Sequence, residues 1–324
     1  MNEKKRIVVI GGGTGTFVAL TGLKKYPVHL SAIITMMDSG GSTGRLRDQL
    51  GVLPPGDLRQ ALVALAESDK LWRDLFLYRF VNGDLKGHNF GNIFISALEK
   101  VTGSIEAAVE CAAMILDTHG DVIPVTFANS QLCVELSDGK LIKGETHIDE
   151  PEEMEERPRI KRAFLEPHAS ANKRAIEAIE KADMIVIGPG DLYTIIIPNI
   201  LVRGMRPALE KSKAKKVFVM NLMTKYGQTT NYTAADHIHD LEHYMGPIDA
   251  VLINSKRPHD PILDRYKRAQ ETIVVNDLDV STRKIISASL IDNKEIHKTS
   301  SDSLKRSVIR HHPDRLAKKL ISLL

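Results

Sequence analysis

Three glycine-rich clusters hold the groups best suited to chemistry: Gly11-Gly12-Gly13-Thr14-Gly15-Thr16, Ser39-Gly40-Gly41-Ser42-Thr43-Gly44 and Gly188-Pro189-Gly190. Each follows an apolar run. A strand that runs into glycines and then a helix aims backbone N–H groups and a helix N-terminus at an anion, and glycine permits a close approach that a Cβ would block. The expected chemistry is phosphate binding. The fit to the dinucleotide fingerprint G-x-G-x-x-G is imperfect, because its third glycine falls on Thr16 when counted from Gly11 and on Val18 when counted from Gly13. No cluster contains G-K-[ST], so a Walker A loop is excluded.

Asp38 closes the second apolar run and leads directly into the second cluster, with Arg45 and Arg47 just beyond. A carboxylate beside phosphate-binding backbone suits a divalent cation or a hydroxyl nucleophile, and the alternative is a cap on the following turn. Arg45 and Arg47 are placed to contact phosphate, or equally to form a solvated helix face. Tyr266, flanked by Arg265, Lys267 and Arg268, offers either a stacking platform with positive charge or the inner side of an amphipathic helix. His239 and His243 have zinc-ligand spacing, but Asp240 stands where the HExxH motif has glutamate, so an exposed polar face is the better reading. Trp72, Phe76 and Phe80 read as core. Cys111 has no basic neighbour to activate it.

The elements that must position these residues alternate. Strands are expected at 6–10, 29–37, 184–187, 216–220, 250–253 and 272–275. Helices are expected at 17–25, 58–67 with Asp57 as N-cap, 71–80, 92–101, 105–116, 172–181, 199–211, 233–244 and 262–269. That order predicts an α/β fold with a mostly parallel sheet covered by helices. Strand-like segments at 122–128, 131–136 and 141–145, with the turn signal Asp138-Gly139, predict a β-hairpin-rich insertion near the middle. Residues 149–158 are acidic and proline-flanked, as in a solvated linker. A last helical region is expected from 303 to 324, broken by Pro313.

Composition narrows the class of protein. The 324 residues carry 44 Lys+Arg against 41 Asp+Glu, a formal charge of +3, with 43% apolar and 26% charged residues. These values exclude disorder and a collagenous chain, and they give no basic face for nucleic acid. No apolar stretch approaches the roughly 20 residues that span a bilayer, so no membrane association is expected. The N-terminus leads straight into a strand, and the two cysteines lack CxxC spacing. A cytoplasmic protein without disulfides is the simplest expectation.

Six motifs occur in a telling order: Ile7-Val-Val-Ile-Gly-Gly-Gly-Thr-Gly15, Asp38-Ser-Gly-Gly-Ser-Thr-Gly-Arg-Leu-Arg47, Pro54-Pro-Gly-Asp-Leu-Arg59, Gly87-His-Asn-Phe-Gly-Asn92, Gly188-Pro-Gly-Asp-Leu-Tyr-Thr194 with Pro198-Asn199, and Asn221-Leu-Met-Thr224. Together they resemble the CofD family, and within it the branch of bacterial gluconeogenesis factors of the YvcK type. The resemblance implies one three-layer, Rossmann-like domain over 1–324, with halves at 1–120 and 168–324 about an insertion and linker at 121–167. It places phosphate on Gly12, Gly13, Thr14 and Gly15, and Asp38, Ser39 and Ser42 at a reactive or metal-proximal corner. Asn89 and Asn92 would line the pocket, with Gly188, Gly190 and Asp191 as the opposite wall. Where family members often carry paired acids, this chain has Met37-Asp38; where they carry serine, it has Asp191.

The function this implies is binding of a nucleotide or UDP-sugar by a regulatory protein linked to cell shape and cell-wall precursor supply under gluconeogenic growth. The alternative within the family is a metal-dependent phospholactyl transferase, with Mg2+ the implied cation and Asp38 its ligand. A nicotinamide oxidoreductase fits least well. No tightly bound organic cofactor is expected, and the apolar C-terminal helix predicts a homodimer.

Overall fold

The computed structural model describes residues 4–151, 157–281, 283–291 and 308–324. In chain order the first half comprises β1 (Arg6–Gly11), α1 (Gly13–Leu23), β2 (His29–Ile34), α2 (Gly41–Leu50), α3 (Gly56–Leu65), α4 (Lys70–Leu77), α5 (Phe90–Thr102), α6 (Ile105–Leu116) and β3 (Asp121–Pro124). Then come β4 (Gln131–Leu136), β5 (Leu141–Lys143), α7 (Glu145–Asp149) and β6 (Ile160–Glu166). The remainder is α8 (Lys173–Glu180), β7 (Met184–Ile187), a π-helical turn (Leu192–Ile196), α9 (Ile197–Leu201), α10 (Met205–Lys211), β8 (Lys215–Val219), α11 (Ala234–Met245), β9 (Ala250–Asn254), α12 (Asp260–Arg268), β10 (Lys284–Ala288) and α13 (Pro313–Ile321).

Seven strands form one parallel sheet in the order β10-β9-β8-β7-β1-β2-β3. Every residue of β7 and all of β1 after Arg6 are buried, although alternate side chains point to opposite faces. Both faces are therefore covered, as a parallel sheet requires. β5, β4 and β6 form a separate antiparallel sheet, the expected insertion. Asp138-Gly139 makes its hairpin turn, with Gly139 N–H donating to the Leu136 carbonyl at 3.0 Å.

Several boundaries differ from the sequence reading for local reasons. α1 starts at Gly13, inside the glycine cluster. β2 stops at Ile34, leaving Thr35 to Met37 buried but irregular. Pro55, not Asp57, caps α3, so Asp57 lies in the first turn. Residues 121–124 pair with β2 in the parallel sheet and do not join the insertion. β6 and β10 are strands that the reading omitted, whereas Ile273, in the expected strand at 272–275, makes only an isolated bridge to Met223. Of the aromatic trio only Phe76 is core: α4 ends at Leu77, so Phe80 is only half-buried and Trp72 is 39% exposed. His239 and His243 lie on the exposed side of α11. Pro313 begins α13, and residues 303–307 of the expected last helix lie outside the described residues. The apolar side of α13 is occupied within the chain: Gly22 of α1 lies against Pro313 and Ala317, and Leu316, Ala317 and Leu320 are buried.

Candidate functional site

β1 lies between β2, to which α1 connects it, and β7, from the second half of the chain. Such a switch point leaves a crevice at the carboxyl ends of the strands. A cavity of about 420 Å3 opens there, within the usual size of small-molecule sites. Its lining follows the strand ends: Gly12 to Gly15 after β1, Asp38 and Gly40 after β2, Pro189 to Asp191 after β7, and Asn221 to Lys225 after β8.

The α1 N-terminus faces this cleft. Gly12 donates its N–H to Thr16 Oγ1 at 2.8 Å, and no side chain caps the helix. As the first helical residues, Gly13, Thr14 and Gly15 have no intrahelical acceptor for their N–H groups, which makes the end an anion seat. Gly13 sits at φ +60, which side chains rarely tolerate. Gly15 packs so closely on the Pro189 carbonyl that a Cβ would collide with it.

Carboxylates surround that seat. Asp38 Oδ1 accepts from Gly40 N–H at 2.9 Å. Asp57 is buried in the first turn of α3, with Gln60 Nε2 donating to its Oδ1 at 3.4 Å. The insertion delivers two more on α7. Glu145 Oε2 accepts from Ser39 N–H at 3.3 Å and from Ser39 Oγ at 3.4 Å, while Thr146 N–H donates to Ser39 Oγ at 3.0 Å. Asp149 accepts from Gln228 Nε2 at 2.7 Å and from Lys225 Nζ at 3.3 Å. In all, seven carboxylates line the cleft, Asp38, Asp57, Glu145, Asp149, Glu150, Asp191 and Glu271, against the cations Lys225, Arg265 and Arg310.

The imbalance shows in the protonation equilibria. Burial raises Asp38 above the ordinary carboxylate range against the pull of Gly40 N–H, the Thr43 hydroxyl, Arg47 and Arg59. Glu145 lies well above its usual value through burial and the charges of Asp38 and Asp149. Asp149 is pushed up to about 6 by burial and Asp191, with Lys225 opposing. Burial works to lower Lys225, but Asp191, Asp149 and Glu271 outweigh it and hold the ammonium charged.

The predicted residues divide into two groups. Gly12, Gly13, Thr14, Gly15, Asp38, Gly190, Asp191 and Tyr266 line the cleft. Tyr266 does so from a buried position, its hydroxyl accepting from the N–H groups of Val308 and Ile309 at 2.9 and 3.2 Å. Gly11, Ser39, Gly41, Ser42, Arg45, Asn89, Asn92 and Gly188 do not line it. Ser42, Asn89 and Asn92 form a polar network behind the wall. Asn89 Oδ1 caps α5 by accepting from Asn92 N–H at 3.2 Å, Asn89 N–H donates to Ser42 Oγ at 3.3 Å, and Asn92 Oδ1 accepts from Arg59 Nε at 2.8 Å. Arg45 is exposed and donates to the Lys86 carbonyl at 3.2 Å.

The sequence reading missed Asp57, Glu145, Asp149, Lys225 and Glu271. Asp57 and Lys225 carried a signal, since Asp57 lies within one of the six motifs and Lys225 directly follows another. Among the described residues no three His, Cys, Asp or Glu side chains form a ready metal cage. Hard oxygen donors beside an anion seat nonetheless fit magnesium, which is held by one or two carboxylates plus the phosphates it bridges.

No helix among the described residues is long and apolar enough to cross a membrane. Residues 7–292 match the family described as 2-phospho-L-lactate transferase CofD. The gluconeogenesis factor of Bacillus subtilis is 40% identical over 328 residues, covering 100% of this chain and 99% of that protein. That of Listeria innocua is 37% identical, covering 99% and 96%. The crystal structure of a UPF0052 family member from Bacillus halodurans superposes with a TM-score of 0.89 at 35% identity, covering 99% of this chain and 100% of that one. On this evidence the chain belongs to the CofD family, alongside the gluconeogenesis factors.

Proposed function

We propose that this protein binds a nucleoside diphosphate sugar of the UDP-sugar class together with Mg2+, as a cytoplasmic regulator that ties cell-wall precursor supply and cell shape to gluconeogenic growth. The observation that carries the binding reading is the uncapped α1 N-terminus, Gly13 to Gly15, opening onto a cavity at the switch point of the sheet. The diphosphate sits on those N–H groups, and the Tyr266 side of the cleft accommodates the base or sugar. The carboxylate excess supports the metal: a dianionic ligand entering this cleft needs a cation to offset Asp38, Asp57 and Glu145. Asp38 and Asp57 are the residues placed to hold it, and Mg2+ there supplies charge neutralisation.

The same carboxylates favour a second reading, a CofD-type transferase in which the nucleotide's phosphoryl bond is broken. Calorimetric titration with UDP-sugars, GDP and NAD, with and without magnesium, tests the binding reading. Saturable UDP-sugar binding strengthened by magnesium, without release of UMP or UDP on long incubation, supports a regulator. Metal-dependent nucleotide release with a phospholactyl donor supports the transferase. Gly13→Ala places a methyl in the seat, with the nearest atoms 3.9 Å away. Undiminished affinity in the folded variant overturns the placement of the phosphate.

A further inference from the structure

The cleft wall built from the end of β8, α12 and residues 308–311 differs in character from the carboxylate-lined remainder. Met223, Tyr266 and Ile309 line the cleft there and pack with Ile262 and Ile291 in a small apolar cluster separate from the main core. The wall is pinned in place. The Tyr266 hydroxyl accepts from Val308 and Ile309, His311 bridges to Ile291, and His312 N–H donates to the Leu290 carbonyl at 2.6 Å. Within this apolar surface His311 lines the cleft while only 5% exposed, and its Nε2 has no hydrogen-bond partner among the described residues. Burial lowers its pKa to about 4, so the ring is neutral near pH 7. The Met220 backbone opposes that shift. A backbone group raises an imidazole by accepting its N–H, so the proton sits on Nδ1 and Nε2 is left as a bare lone pair. An acceptor shut away from water is costly to leave unpaired, and its partner must come from what fills the cleft.

We infer that His311 Nε2 reads the base of the bound nucleotide by accepting a ring N–H, which admits uracil and refuses cytosine. The inference rests on the UDP-sugar reading proposed above and gives it a selectivity. Uracil offers a donor at N3, whereas cytosine has a lone pair at the same position and would face Nε2 lone pair to lone pair. Guanine, with N1–H, behaves as uracil does, and adenine as cytosine does. Apolar walls with a few placed polar groups are how a pocket takes a flat ring and fixes its orientation. Asn221, next to Met220 in sequence, also lines the cleft, and its Oδ1 has no partner among the described residues. A carboxamide can turn to present an acceptor or a donor, so Asn221 suits the uracil carbonyl and the cytosine amino group alike. A neutral imidazole held on Met220 has no such choice, and discrimination falls to His311. Gly13 to Gly15 line the same cavity, so one nucleotide can reach both.

Calorimetric titration of the full chain with UDP-glucose and CDP-glucose, in magnesium, tests the inference. Wild type is expected to bind UDP-glucose about a hundredfold or more tighter than CDP-glucose. His311→Phe keeps a flat ring without the acceptor. It should lose about tenfold in UDP-glucose affinity and bind the two sugars within about threefold of each other. His311→Gln supplies either polarity by turning its amide. It should hold UDP-glucose within about tenfold of wild type and raise CDP-glucose to within about threefold of it, a gain that a merely structural role for His311 does not give. Thermal melts show that each variant is folded at the titration temperature. A wild type that binds the two sugars equally, or a folded His311→Phe or His311→Gln that keeps the wild-type preference, overturns the role of His311 and leaves the proposed function standing. Failure of both sugars to bind wild type overturns the proposed function and this inference with it.

Discussion

Replacing Asp149 by Asn tests whether the cleft holds a carboxylate against its electrostatic preference. The Asp149 pKa rises from 3.8 to about 6 in the folded protein, through burial and the charge of Asp191. The native state therefore binds this proton more tightly than the unfolded chain does. Its contribution to stability is fully present below pH 3.8, declines as pH rises towards 6, and is lost above that. A shift of roughly two units at about 1.4 kcal/mol each makes the swing about 3 kcal/mol. Asparagine keeps an acceptor for Gln228 Nε2 but cannot titrate. The ion pair with Lys225 forms only as Asp149 ionises, and its pull is already contained in the Asp149 pKa, so it adds no separate correction. Glu145 is raised in part by the charge of Asp149, so its shift shrinks in Asp149→Asn, and that change moves the difference in the same direction. The stability of wild type relative to Asp149→Asn should thus fall by most of 3 kcal/mol between pH 4 and pH 7. That is a relative Tm change of roughly 4 °C for a chain of this size. Thermal melts of both proteins without ligand, in matched buffers from pH 4 to 8, measure it. A difference that stays flat, or that moves towards wild type as pH rises, refutes the account of the cleft's electrostatics.

Further outcomes follow from the packing. Gly15→Ala drives a Cβ into the Pro189 backbone. It is expected to destabilise the protein by about 1–3 kcal/mol and to weaken nucleotide binding, read by thermal melt and calorimetry. Asn92→Ala removes the acceptor of buried Arg59 Nε, at a cost of about 2–3 kcal/mol. Because Asn92 lies behind the wall, nucleotide affinity at a temperature where the variant is folded should stay within about threefold of wild type, and a hundredfold loss would put Asn92 on the ligand. Tyr266→Phe deletes the hydroxyl that accepts from Val308 and Ile309. A loss of about 1–3 kcal/mol is expected, with faster proteolysis around residues 308–312.

The parallel sheet was legible because buried strands such as Ile7-Val-Val-Ile10 and Met184-Ile-Val-Ile187 are written as short apolar runs, each followed by the glycines its turn needs. Those turns bind through backbone, so their requirement is local and appears in the sequence as missing side chains. Boundaries were less legible where packing decided them. The spacing of Trp72, Phe76 and Phe80 describes one helix face, but α4 ends at Leu77 and the face does not continue. β10 carries Lys284 and Ser287 among its apolar residues and is fixed by pairing with β9, a contact no local pattern announces.

Charge in the cleft was the least legible feature, and the reason is geometric. Arg45 follows the second glycine cluster closely in sequence, yet α2 turns it outward to the Lys86 carbonyl. The ammonium that does reach the cleft belongs to Lys225, placed by the end of β8, and its carboxylate partner Asp149 arrives on an insertion from the middle of the chain. Asp149 reads in sequence as the first residue of a solvated acidic stretch. Only the pairing of β4 with β5 and β6 brings α7 to Ser39 and Lys225. An anion seat made of backbone can therefore be found from one segment, whereas the counter-charge that decides which anion enters, and with which cation, depends on three segments meeting. The carboxylates of α7 are for that reason the sharper test of function than the glycines.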